Sequence, residues 1–133
     1  MSQTLDQQRA AFAWECATRS SRLQEKQRKQ YKVLAKGAPA LIMNSGLMPT
    51  LAFYNQKDDV ARLLLDDLIR GLKKRIEKQE TEIGQGQRSF ATFMSGLQAK
   101  QSPDYLRYSD EALELLKWIR QFVDAVGDRE PAR

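Results

Sequence analysis

Apolar residues return at helical spacing along nearly the whole chain, and a strand-like alternation is sustained nowhere. The clearest run is Val60, Leu64, Leu68, Leu72 and Ile76, whose regular four-residue steps hold one apolar stripe on one side of a helix. Leu5, Phe12, Cys16 and Leu23 recur at intervals of seven, four and seven and mark a long N-terminal helix. It is opened by Thr4-Leu5-Asp6-Gln7, which has the form of a capping box. Tyr31, Leu34, Ala35, Ala38, Leu41 and Ile42 make a further stripe, and Phe90, Phe93, Met94 and Leu97 a short one. Leu106, Ala112, Leu113, Leu116, Ile119, Val123 and Val126 make the last. The pattern predicts an all-α fold, a compact bundle of five to seven helices with no sheet. A length of 133 residues suits a single domain over 1–133, with a tail from about 128 expected to fray.

Breaks are written in the same code. Residues 24–30 carry no apolar side chain, so a turn or a fully solvated helical bridge belongs there. Pro39 lacks a backbone donor and predicts either a kink near Ala35 or a new helix starting at Pro39. Asn44-Ser45-Gly46 offers a left-handed stop, and Pro49 suits the first turn of a short helix carrying Leu51, Ala52 and Tyr54. Asp58 and Asp59 favour a helix N-terminus, and Gly84-Gln85-Gly86 is expected to end the helix that follows. Ser102-Pro103-Asp104 opens the final helix, and Gly127 lies just past its end.

Two absences narrow the chemistry. The chain has no histidine, which removes every His-dependent catalytic arrangement and every His-ligated metal site. Cys16 is the single cysteine, so no intramolecular disulfide, zinc ribbon or iron–sulfur cluster can form, and a small buried apolar role is expected for it. Neither a leader pattern at the N-terminus nor a run of roughly 18 apolar residues is present, and a cytoplasmic location is expected. The uncharged stretch 37–56 is broken by Pro39, Asn44, Ser45, Gly46 and Pro49 and reads as core. No cofactor, membrane contact or small-molecule substrate is expected.

Paired carboxylates are the remaining catalytic material. Asp58-Asp59 and Asp66-Asp67 could hold magnesium, but Asp58, Arg62, Asp66, Arg70, Lys74 and Lys78 follow one another at four-residue steps. The first four alternate in sign, which reads as a solvated, ion-paired helix face. Glu111 and Glu114 are explained in the same manner by the helix dipole and Lys117. Gly84-Gln85-Gly86 lacks the Lys-Ser/Thr of a phosphate-binding loop. An enzyme working through Asp66 and Asp67 is therefore the third reading.

Positive charge is concentrated. Residues 19–36 hold Arg19, Arg22, Lys26, Arg28, Lys29, Lys32 and Lys36 against Glu25 alone, a net +6 in a chain whose total is +5. On one continuous helix, Arg19, Arg22, Lys26, Lys29, Lys32 and Lys36 would fall on about 140° of arc. Such a row offers a phosphate backbone distributed charge without base-specific geometry, whereas the plainer reading is a solvated face. A second, weaker row comprises Arg70, Lys74 and Lys78, with Lys73 and Arg75 beside it. Trp14 and Trp118 lie at the edges of their helices' apolar faces. Core-edge packing is the first reading for each and a protein–protein anchor the sharper one.

One part of the chain is more individual. Leu34-Ala35-Lys36-Gly37-Ala38-Pro39-Ala40-Leu41-Ile42, followed by Gly46-Leu47-Met48-Pro49-Thr50-Leu51-Ala52-Phe53, resembles the signature of the small helical subunit of type III-B CRISPR complexes. That is the fifth subunit of the Cmr, or RAMP-module, effector. Residues 5–14 resemble the family's N-terminal helix and residues 105–119 its C-terminal one. Ser45 stands where family members often carry Asn, and Pro49 where a polar residue is more usual.

The resemblance implies an all-α subunit without catalysis of its own, copies of which stack into a minor filament in an RNA-guided antiviral ribonucleoprotein. Its partners would be the backbone subunit, the large subunit, further copies of itself, and guide and target RNA. The apolar signature would be core and turn. A helical scaffold that binds proteins and touches no nucleic acid is the alternative.

Overall fold

The computed structural model describes residues 2–127, and the expected fraying of 128–133 lies outside them. Seven α-helices follow one another: α1 (Leu5–Ser20), α2 (Glu25–Ser45), α3 (Leu47–Lys57), α4 (Asp59–Leu72), α5 (Gln85–Arg88), α6 (Phe90–Gln98) and α7 (Ser102–Gly127). A π-helical turn, Lys73–Glu77, extends α4, and no strand occurs among the described residues. The expected all-α bundle is the fold observed.

The local signals act where the chemistry places them. Thr4 caps α1 through both halves of the box. Its hydroxyl accepts from the Gln7 amide at 3.1 Å, and its own amide donates to Gln7 Oε1 at 2.7 Å. Gly46, at φ 97°, lets the chain leave α2 and re-enter α3 with a conformation that L side chains rarely take. Asp58 caps α4, its carboxylate accepting from the Ala61 amide at 2.8 Å. That hydrogen bond, aided by Lys57 and Gln30, holds the Asp58 carboxyl below its usual range despite partial desolvation.

Three expectations about breaks are resolved, the last by correction. The chain turns at residues 21–24 and α2 begins at Glu25, so the polar stretch 24–30 is mostly the solvated first turns of a helix. No new helix starts at Pro39; α2 runs through it, held by packing on α3, α4 and α7. The helix carrying Val60 to Leu72 ends well before Gly84. The π turn is followed by Lys78 in the left-handed conformation (φ 61°), where the Lys78 and Gln79 amides both donate to the Lys73 carbonyl.

α4 lies at the centre. Every residue from Leu64 to Leu72 is buried, because α1, α2, α3, α5 and α7 surround it. Gly71 permits a close approach of α1 and α7: a Cβ there would lie 2.7 Å from Phe12 and 2.8 Å from Leu115. α7, the longest helix, packs chiefly on α1 and α2. It runs with α1, as Arg9 pairs with Glu111 and Trp14 with Phe122. It runs against α2, as Lys36 meets Asp124 while the Met48 amide donates to Tyr105 Oη at 3.1 Å. Cys16 is fully buried, as expected, and burial pushes its thiol pKa well up.

Candidate nucleic-acid interface

The turn at 21–24 divides the cationic row between two elements. Arg19 ends α1 on the inside. Its guanidinium donates twice to Asp67 Oδ1, at 3.1 Å from each nitrogen, with only 30% of the side chain exposed. Arg22 lies in the turn and is exposed. Lys26, Lys29, Lys32 and Lys36 remain together along α2, whose inward face carries Tyr31, Ala35, Ala38 and Ile42. Apolar burial of that inward face is what aims the lysines outward.

Their charges are not equally available. Arg22 and Lys26 have no acidic side chain within ion-pair distance among the described residues. Lys29 pairs with Glu25 at 3.0 Å, both largely exposed. Lys36 pairs with Asp124 at 2.8 Å, and Lys32 lies 3.7 Å from the same carboxylate. These contacts are at the surface, where each contributes at most about 1 kcal/mol and yields readily to a competing anion.

The second row does not form a surface. Arg70 is 6% exposed and donates to Asp66 at 2.9 Å and to Asp67 at 2.7 Å. Burial works against its charge, yet Asp67 and then Asp66 outweigh that and leave the guanidinium pKa above its ordinary value. Lys74 is 3.6 Å from Glu80, and only Lys78 stands exposed without an acidic partner among the described residues. Arg70 is thus interior structure, and Lys74 and Lys78 flank a turn away from α2.

The expected solvated face on α4 is corrected in the same region. Asp66 and Asp67 are 4% and 1% exposed. Asp66 accepts from the amides of Gly84 and Gln87 at 2.9 and 2.8 Å, which ties the start of α5 to the core. Asp67 accepts from Arg19, Arg70 and, at 2.6 Å, Tyr31 Oη. Arg62 pairs with Asp59 at 2.9 Å and not with the buried Asp66. With their lone pairs engaged by internal donors, Asp66 and Asp67 are structural carboxylates. No group of three or more potential ligands arranged for a metal ion occurs among the described residues. Glu111 is likewise no solvated dipole partner: it is buried and gripped by Arg9 through two 2.8 Å hydrogen bonds.

The uncharged segment divides between core and surface. Ala38, Ile42, Leu47, Thr50, Leu51 and Tyr54 are buried, while Leu41, Met43 and Phe53 are exposed, so its reading as core is only half correct. Among the described residues no helix is long and apolar enough to cross a membrane.

What this geometry defines is a small helical protein with a row of cations along one helix, buried ion-paired carboxylates and no assembled metal cluster among the described residues. Comparison with known proteins gives that class its place. Residues 5–126 match the family described as "CRISPR-associated protein (Cas_Cmr5)". The chain belongs to this Cmr5 family, the small subunit of the type III-B CRISPR complex. The fold is also similar to the X-ray crystal structure of a CRISPR-associated Cmr5 family protein from Thermus thermophilus. The TM-score is 0.72 at 21% identity, over 93% of this chain and 98% of that one.

Proposed function

We propose that this Cmr-complex subunit is non-catalytic and contacts guide or target RNA through the cations of α2, within an antiviral ribonucleoprotein in the cytoplasm. Arg22, Lys26, Lys29, Lys32 and Lys36 supply the charge; Arg19 and Arg70 brace the interior beneath it, and Lys74 and Lys78 contribute only to the general field. Copies of the chain stack beside the backbone and large subunits and line the channel holding the duplex. The single observation that carries this reading is the exposure of Arg22, Lys26 and Lys29 within a segment of net +6 in an otherwise balanced chain. Such a row neutralises phosphates without reading bases.

The experiment is reconstitution of the complex with Lys26→Glu and Lys29→Glu together. The variant is expected to enter the complex with the other subunits while RNA loading falls. Normal RNA loading by a fully assembled variant complex would leave the subunit as a protein scaffold. The exposed Leu41, Met43 and Phe53 give that second reading its own support, since exposed apolar groups suit contact with other subunits.

A further inference from the structure

Trp14 has 48% of its surface open, yet its ring is held. It meets Phe122 of α7 with centroids 5.1 Å apart and planes at 85°. Phe122 packs in turn on Trp118 at 5.8 Å, and Lys117 Nζ lies 5.8 Å from the centre of the Trp118 ring. An indole turns about two side-chain torsions, and an edge-to-face seat on a packed aromatic restrains both. Packing at the core edge accounts for the covered part of Trp14. It does not account for a large rigid aromatic surface left facing water.

The surrounding charge distinguishes between occupants. Phe122 and Asp124 are two residues apart on α7, and Asp124 is the carboxylate beside Lys32 and Lys36. Trp14 therefore stands on the α1 side of α7 and the lysines on its α2 side, about two interhelical spacings or roughly 16–20 Å apart. Arg22 follows Trp14 by eight residues, about 12 Å along the α1 direction. The next residue, Glu15, is exposed and adds one negative charge beside the ring, while further along α7 Glu114 is paired with Lys117 at 3.2 Å. An open aromatic face with cations within the reach of a few nucleotides is how a single strand is held: phosphates on the charges and a base on the ring.

We propose that the open face of Trp14 is a stacking platform for an unpaired base of the RNA strand whose phosphates lie along α2. The proposal rests on the RNA-facing reading of α2, and the test separates the two. The folded chain is titrated at low salt with single-stranded oligouridylate and with an abasic oligomer of equal length and charge. The wild type binds the base-bearing strand more tightly, on the order of ten-fold. Trp14→Leu, which keeps an apolar group on Phe122, loses that preference, and Trp14→Phe retains most of it. In a Trp118→Phe background, where Trp14 is the only indole, its fluorescence is quenched by the oligouridylate and not by the abasic strand.

Equal affinity of Trp14→Leu and wild type for the oligouridylate overturns the platform, as does absence of quenching at saturation. If Lys26→Glu with Lys29→Glu still weakens both oligomers, the phosphate contacts stand without it. A Trp14→Leu chain that keeps full RNA affinity but fails to enter the complex makes the ring a protein contact, which also overturns the platform.

Discussion

Asp124 of α7 lies 2.8 Å from Lys36 of α2 and 3.7 Å from Lys32, so one carboxylate sits within the cationic row. It ties α2 to α7 and lowers the field that α2 offers a polyanion. Both partners are around half exposed, so the tie is weak and the electrostatic effect is the larger one. Asp124→Asn is expected to change thermal stability by less than about 1 kcal/mol. RNA should bind several-fold more tightly, with a steeper dependence on salt. Unchanged RNA affinity measured by anisotropy would show that Lys32 and Lys36 take no part.

Asp67 has a different role, because its carboxylate is buried and serves three donors from three helices. Arg19 of α1, Tyr31 of α2 and Arg70 of α4 all meet there. Removing the carboxylate leaves the buried Tyr31 hydroxyl without its acceptor and leaves Arg70 with Asp66 as its one remaining carboxylate partner among the described residues. Asp67→Ala is expected to cost about 3–5 kcal/mol in chemical denaturation, far more than any substitution on the α2 surface. A loss below about 1 kcal/mol would mean that water replaces the carboxylate at no expense.

Alkaline pH should probe the same buried cluster. Burial raises the Cys16 and Tyr31 pKa values well above their ordinary 9.0 and 10.0, and the nearby Asp67 charge adds to both shifts. In the unfolded chain these groups release protons near their ordinary values while the native state keeps them. The unfolded state then binds fewer protons, so stability is fully present below about pH 8.5 and falls as pH rises further. Cys16→Ala should remove the earlier part of that fall, monitored by urea unfolding between pH 7 and 10.5. A flat profile over that range contradicts the burial of both groups in a protonated state.

Gly71 tests the packing of α4. Alanine would normally favour a helix by about 1 kcal/mol, but here its Cβ would enter the space of Phe12 and Leu115. Both neighbours are core side chains that cannot swing into solvent. Gly71→Ala is expected to destabilise by about 1–3 kcal/mol, seen as a lower Tm. A raised Tm would show that α1 and α7 can move apart.

How much of this is legible in the sequence depends on the range of the forces involved. Helix identity, the Thr4–Gln7 box, the Gly46 stop and the Asp58 cap are local effects, and the chain shows each of them at short spacing. Pro39 misleads when it is weighed against its own helix alone. The loss of one donor is outweighed by the contacts α2 makes with α3, α4 and α7, which are far apart in sequence. Asp66 and Arg70 mislead for a similar reason. Alternating charges at four-residue steps look solvated until residues 84–88 fold back over them, and nothing in the local pattern announces that cover. Arg19 leaves the cationic row because the turn at 21–24 re-aims the chain, whereas Lys26 to Lys36 share one helix and keep the common face predicted for them. Trp14 sits where expected, at the edge of its helix, but the size of its open surface depends on where α7 lies.

The most direct test of the account is the salt dependence of single-stranded RNA binding by wild type and by Lys26→Glu with Lys29→Glu. Five participating cations predict a log–log slope of about −3.5, and reversing two of them should flatten it by about 1.4 or more while weakening affinity. A wild-type slope near zero, or an identical slope in the two proteins, contradicts an RNA-facing α2.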